Sequence, residues 1–377
     1  MDRHQASWAG SVEALRGVAV LLVFSSHALG HWTELSGAYS TLLSSLYGLV
    51  LQLDFGRLGV YVFFLISGFL IPFSVKGSGT QPAIHFLHRR FLRVAPLFFL
   101  SIPLGLVFEH WLQGGSVSLS LAILNIFLIP NFSGYPFALN AYWTLQIEMV
   151  FYLFIYAMAV RVNIKGSRFA LSGAFVLTMI LAELARPEKY DLEEDLVVVL
   201  GEFAKILGGL TFIWVGSLIR KWLDRRASSL ELLLLGTYCA YAFIFLPLKS
   251  LGKVNLSEQF STLSFLVPAM ALVLFCLVIL KKFRFAGLER LGEVSYSMYL
   301  MHAPVIYIVK YAFFLVLEFS QLGPIFLTSP ISTLSVGVIF IVLTFYGSLA
   351  LSCWTYNHVE RRFWVPSELG KTKQATT

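Results

Sequence analysis

Apolar residues fill this chain in long, nearly unbroken stretches, separated by short clusters of Lys and Arg. Eleven stretches approach membrane-spanning length: 12–32, 56–75, 94–112, 117–132, 143–160, 169–185, 196–219, 230–248, 262–280, 291–315 and 331–353. A hydrocarbon core of ~30 Å needs about 20 apolar residues in a helix, so the pattern predicts an all-α, polytopic membrane protein. Four interruptions are basic: Lys76 with Arg89, Arg90 and Arg93; Arg161, Lys165 and Arg168; Arg220, Lys221, Arg225 and Arg226; Lys281, Lys282, Arg284 and Arg290. The positive-inside rule puts them together on the cytoplasmic side. An even number of spans must separate any two such loops, and only the interval from Arg93 to Arg161, with three candidates, breaks that parity. Residues 117–132 are the weakest of the three, because 16 residues reach only about 24 Å. They run into IPNFSGYPFALN, where Pro130, Gly134 and Pro136 break helix. This stretch is therefore expected as a re-entrant or interfacial segment on the outer side. About ten transmembrane helices remain, with both termini cytoplasmic, residues 1–354 forming one membrane domain and 355–377 a short cytoplasmic tail.

Composition agrees. Of 377 residues 57% are hydrophobic and 13% charged, against about 45–50% and 25% in soluble chains, and mean hydropathy is +0.76. The net charge of +7 sits mostly in short loops, where it reports orientation; no nucleic-acid partner is expected. Cys239, Cys276 and Cys353 lie in apolar stretches, which argues against a disulfide framework or a zinc site. The segment from Ala28 to Trp32 lacks a small-x-small cleavage pattern, so the first apolar run is expected as a retained helix.

Against this background a few polar residues stand out. RGVAVLLVFSSH, residues 16–27, has Arg16 and His27 at its ends and no other ionisable group between. Eleven helical residues make three turns plus roughly 20°, so the two side chains share a face about 16 Å apart. Arg16 then lies at the cytoplasmic boundary and His27 just past mid-bilayer. In WTLQIEMVFY, Glu148 falls about 7–8 Å below Trp143, an interfacial marker. In LGEVSYSMYLMHAP, counted from Leu291, His302 is about 16 Å inward, level with His27, and Ser295, Tyr299 and His302 share a face. Ionisable groups at such depth point to function unless they merely tie helices together. Glu202 and Lys205, one turn apart, are expected to satisfy each other.

The run HFLHRRFLRVAP adds Arg89, Arg90 and Arg93, more charge than orientation needs. Planar guanidinium groups suit phosphate and pyrophosphate, although such a run also anchors to anionic lipid. Phosphate-binding groups at the rim with a histidine ~16 Å inward fit a long ligand with a phosphorylated head and a reactive tip. Coenzyme A thioesters have that shape. The chain contains no P-loop, H-E-x-x-H or G-x-S-x-G motif, which argues against ATP-driven, zinc-dependent and serine-hydrolase chemistry.

These stretches resemble the acyltransferase 3 family of integral membrane O-acyltransferases. VEALRGVAVLLVFSSH, GRLGVYVFFLISGFLI, HRRFLRVAPLFF, WTLQIEMVFYL, SYSMYLMHAP and NHVERRFW occur in the family's order over more than 340 residues. Glu13 and Ala14 stand where the family has Asp and Gly, and Tyr61 where a polar or acidic residue is common. The resemblance implies ten spans in a bacterial cytoplasmic membrane and a cytoplasmic acyl-CoA donor, usually acetyl-CoA. Transfer would be to a hydroxyl of a glycan, a glycolipid or a small molecule, favouring a cell-envelope or exported polysaccharide. A standalone form is expected, without the esterase-like domain that many relatives carry. On this reading Arg16, Arg89, Arg90 and Arg93 hold acyl-CoA. His27 is general base or acyl carrier, oriented by Glu148, and Ser295, Tyr299 and His302 contact the acceptor or the transition state. No resident cofactor or metal is expected. The rival class is a proton-coupled transporter using the intramembrane His and Glu as a relay.

Overall fold

The computed structural model describes residues 3–36, 41–75, 77, 79–110, 115–161, 180, 193–251, 263–319 and 330–363. Among them there is no strand, and the architecture is the all-α bundle expected of a polytopic membrane protein. In chain order the helices are α1 (Arg3–Ser36), α2 (Thr41–Gln52), α3 (Phe55–Leu70), α4 (Thr80–Gly105), α5 (Leu119–Ile126), α6 (Tyr142–Arg161), α7 (Glu194–Leu223), α8 (Ser229–Ala240), α9 (Leu246–Leu251), α10 (Val267–Leu280), α11 (Ala286–Glu293), α12 (Ser295–Phe319), α13 (Pro330–Thr355) and α14 (Arg361–Phe363).

Eight helical segments among the described residues are long and apolar enough to cross a bilayer: Trp8–Ser36, Phe55–Ser74, Thr80–Phe108, Tyr142–Val160, Leu196–Leu223, Ser229–Leu248, Ser295–Val316 and Thr333–Phe363. They answer eight of the ten expected spans. A ninth, 262–280, is represented by the shorter apolar α10, and 169–185 lies, Ile180 apart, outside the described residues. The stretch 117–132 holds only the eight-residue α5 and a tight turn at Pro130–Ser133. Eight residues rise about 12 Å, far short of a crossing. Side-chain amides hold this segment in place. Asn125 donates to the carbonyls of Leu121 and Pro136 and accepts from the Ala138 amide at 2.7 Å, while Asn131 donates to Glu202 at 2.7 Å. Glu202 also takes Lys205 at 2.5 Å, the pairing read from their spacing.

Three boundaries differ from the hydropathy reading. Helix α4 begins at Thr80 rather than 94, because His85, His88, Arg89, Arg90 and Arg93 interrupt the apolar pattern without interrupting the helix. Helix α12 begins at Ser295, after the separate amphipathic α11, so His302 stands about 10 Å above its start rather than the ~16 Å counted from Leu291. Finally, α13 continues through a wider turn at Tyr356–Glu360 into α14. The boundary expected between 354 and 355 thus falls inside a helix, and of the expected tail 364–377 lie outside the described residues.

The bundle's centre is α1, packed against α3, α11 and α12, with α3 packed in turn on α7. Glycines bring these helices into backbone contact. A Cβ on Gly17 would lie 2.2 Å from the Leu288 carbonyl oxygen of α11, and one on Gly292 would lie 1.9 Å from that of Glu13 on α1. A Cβ on Gly68 of α3 would lie 1.4 Å from the Ile213 oxygen of α7, and one on Gly216 of α7 2.1 Å from that of Leu65. Without a hydrophobic drive between helices in lipid, close approach at small residues is what makes them associate. Here it fixes the heights of Arg16, Ser67 and Ser295 relative to one another.

Candidate active site: two cavities on one helix

Helix α1 lines two cavities, with Arg16 in one and His27, His31 and Glu34 in the other. At the basic end, a cavity of about 160 Å³ is lined by Arg16, Arg90, Arg93, Glu148, Tyr152 and Ser295, with Tyr299 and Thr144 closing its inner end. Arg16 pairs with Glu13 one turn below at 2.8 Å. Arg90 donates to Ser74 Oγ at 3.1 Å and lies over the rings of Phe86 and Tyr152 at 5.6 and 5.7 Å. Arg93 sits in the field of Glu360, Glu148 and Glu13. The arginines at 90 and 93 therefore enter the cavity together with Arg16, three cations against the single lining carboxylate of Glu148. Arg89 does not join them: its guanidinium reaches the Ser74 carbonyl at 3.5 Å, and it is absent from the cavity lining.

Glu148 belongs to this arginine cavity. Tyr152, one turn along α6, donates a hydrogen bond to its Oε1, and Ser67 approaches the same oxygen at 3.5 Å. The structure does not bring Glu148 to His27, which it was expected to orient: among the described residues the two form no hydrogen bond, and they line different cavities. Glu148 was placed by its depth alone, which says nothing about the neighbour it meets.

The second cavity, about 290 Å³, is lined by His27, His31, Glu34, Asn140, His302 and Tyr307, among others. Here the depth matching was informative, since the rings of His27 and His302 meet edge to face at 5.1 Å between centroids. His302 Nδ1 lies 3.1 Å from the Met298 carbonyl. A carbonyl only accepts, so Nδ1 carries the hydrogen. In the neutral ring Nε2 is then the acceptor, and it is a buried atom with no hydrogen-bond partner among the described residues. Buried polar atoms are nearly always paired, so an orphan of this kind marks a site that awaits a partner.

The wall between the cavities is thin. Tyr299 Oη lies 2.9 Å from Thr144 Oγ1 and donates to the Ala141 carbonyl at 3.4 Å. Thr144 and Tyr299 line the arginine cavity, whereas Ala141 and His302 line the other. The Tyr299 ring is 6.1 Å from that of His302. Ser295, Tyr299 and His302, read as one face of one helix, thus step from the first cavity through the wall into the second.

Several residues of this arrangement escaped the sequence reading. Tyr152 follows Glu148 by four and Glu13 precedes Arg16 by three, spacings that put them in contact on their helices. Glu360 belongs to NHVERRFW but lies past the last apolar run; buried, it accepts from Ser297 at 2.9 Å. His31 and Glu34 sit one and two turns beyond His27, and Lys310 reaches Glu34 at 2.6 Å. No group of three or more His, Cys, Asp or Glu among the described residues could hold a metal ion.

Comparison with known proteins bears on the chain as a whole. A curated relative from Komagataeibacter xylinus, named "Putative membrane-bound transacylase BcsY", is 26% identical over 325 residues, covering 80% of this chain and 74% of its own length. No solved structure matches the chain significantly. The family model described as an acyltransferase domain matches residues 10–353, and the chain belongs to that family, acyltransferase 3, as a multi-pass membrane acyltransferase.

Proposed function

We propose that this protein moves an acetyl group from cytoplasmic acetyl-CoA, bound at the arginine cavity, to a hydroxyl held in the histidine cavity. The acceptor is a glycan or glycolipid of the cell envelope or an exported polysaccharide, and the membrane is the bacterial cytoplasmic membrane. The observation that carries this reading is the thin Tyr299–Thr144 wall, with arginines on one side and the two histidines on the other. The basic end faces the cytoplasm. Arg16, Arg90 and Arg93 take the phosphates, while the narrow cavity accepts the pantetheine arm but not the nucleotide. His27 is the general base toward the acceptor hydroxyl, since imidazole, with an ordinary pKa of about 6.5, suits proton transfer near neutrality. His302, rather than Glu148, is its partner. Tyr299, at the wall, is placed to donate to the carbonyl oxygen as charge develops there.

The test is transfer of labelled acetyl from acetyl-CoA, supplied on the cytoplasmic face of membrane vesicles, into host glycan or lipid fractions. His27→Ala should lower that transfer by about 10²–10⁴-fold, the usual contribution of a positioned acid–base group, while acetyl-CoA binding persists. Transfer unchanged in the variant would remove His27 from the chemistry. Proton flux without any release of CoA would favour transport instead.

A further inference from the structure

Beyond His27 the histidine cavity contains a second ordered set of groups that transfer between the two cavities does not use. His27, His31 and Glu34 follow one another on α1 at spacings of four and three, so they share a face. His31 Nδ1 lies 3.1 Å from Glu34 Oε2. Lys310 of α12 lies 2.6 Å from the same oxygen and 3.5 Å from His31 Nδ1. The Tyr307 ring packs against that of His31 at 4.8 Å. The Glu34 side chain is 61% exposed and lines both the histidine cavity and a larger one of about 430 Å³ beyond it. The titratable or charged groups facing this set are His27 on its own helix and His302, Tyr307, Lys310 and Tyr311 on α12.

Lys310 only donates, and its short bond goes to Glu34 at 2.6 Å rather than to His31 Nδ1 at 3.5 Å; in the tautomer that pairs His31 with the carboxylate at 3.1 Å, Nδ1 donates and Nε2 is left as the ring's acceptor on the side away from Glu34. Such a ring can take a proton at Nε2 and release one at Nδ1. We infer that His31 and Glu34 form the exit by which the acceptor's proton leaves His27 for the solvent at the end of the bundle opposite the arginines. This rests on the transfer reading above. In the step, the acceptor O–H bond breaks as its oxygen forms the ester bond to the acyl carbon. The thioester C–S bond breaks and its electron pair stays on the coenzyme A sulfur, which takes a proton from water at the basic end. The hydroxyl proton rests on His27, passes to His31 Nε2, and is released through Nδ1 to Glu34 and then to water. Lys310 is a positioning residue that holds the Glu34 carboxylate against His31.

The experiment uses the full-length protein in proteoliposomes, with acetyl-CoA as donor, host membrane extract as acceptor, and released thiol as the readout in dilute, bulky buffer. In His31→Ala, maximal turnover should fall by about tenfold, below the ~10²–10⁴ of a group acting in the bond-making step itself. KM for acetyl-CoA should be unchanged, and millimolar imidazole should restore the rate by carrying the proton in place of the missing ring. Glu34→Gln should show a smaller loss with the same recovery, and it covers the case in which His31→Ala fails to fold. Full turnover in both variants overturns the relay, as does a loss that imidazole cannot restore in protein with wild-type melting temperature. Wild-type protein that releases no thiol from acetyl-CoA would instead defeat the transfer reading, and the relay with it.

Discussion

The two cavities on α1 solve opposite electrostatic problems. The arginine cavity is crowded with charge that is already engaged: Arg16 on Glu13, Arg90 on Ser74 and two aromatic faces, Glu148 on Tyr152. Burying charge is tolerable only with such partners, and the result is a rigid cradle suited to gripping a ligand with its own charges. The histidine cavity keeps its central groups underused. Among the described residues His27 makes a ring contact to His302 and no hydrogen bond, and His302 Nε2 has no hydrogen-bond partner. An uncommitted acceptor is what proton transfer needs, and a fully bonded one would serve only to hold shape. Under the proposed function, binding falls to the first cavity and bond-making to the second.

Variants that strike one cavity and spare the other can break this division. The largest effect should separate His302 from Glu148. His302→Ala is expected to lower maximal transfer by about 10²-fold, whereas Glu148→Gln should cost less than about tenfold at saturating acetyl-CoA, the carboxylate having no contact with His27 to lose. If Glu148→Gln matches His302→Ala in maximal rate, the two cavities act as one site. Next in size, Arg90→Gln and Arg93→Gln should each raise KM for acetyl-CoA by about tenfold, the lower end for a lost charge-assisted hydrogen bond, with maximal rate kept. Steady-state kinetics over donor concentration checks this, and a fall in rate without a change in KM would remove these arginines from donor binding. The smallest effect concerns the wall and is read as a partition. Tyr299→Phe should slow hydrolysis and transfer alike through loss of the donor to the carbonyl oxygen, and because it also removes the hydroxyl from Thr144 it should increase acetyl-CoA hydrolysis relative to productive transfer by about 2- to 10-fold, the range for one neutral hydrogen bond; the ratio of free thiol to labelled product measures it.

The spans were legible in the sequence because membrane burial acts on each residue separately and leaves a composition trace. The same holds for 117–132, which loop-charge parity, its shortness and the breakers Pro130, Gly134 and Pro136 together marked as unable to cross. Depth along a helix was legible too: residue counting placed His27 level with His302, and the rings meet, even though the start of α12 was misplaced by four residues. What could not be read was which neighbour a side chain meets across helices. Glu148 and His27 are at compatible depths, yet α6 turns its carboxylate toward Ser67 and into the cavity of Arg16 rather than that of His27. That rotation depends on the packing of helices distant in sequence. Arg89 shows the same limit within one helix, since a 100° step separates it from Arg90 and points it to the Ser74 backbone rather than into the cavity. Glu360 escaped because the apolar pattern ended before the helix did.

The glycine contacts that join α11, α1, α3 and α7 bear on speed. Helices pressed backbone to backbone leave no slack for one half of a bundle to rock against the other, the microsecond-to-millisecond motion of alternating-access machines. If donor and acceptor meet through such a frame, the moving part is a side chain, with Tyr299 the natural shutter, and rotamers turn in nanoseconds when space allows. Turnover would then be paced by bond-making and ligand exchange, with no global conformational cycle to slow it.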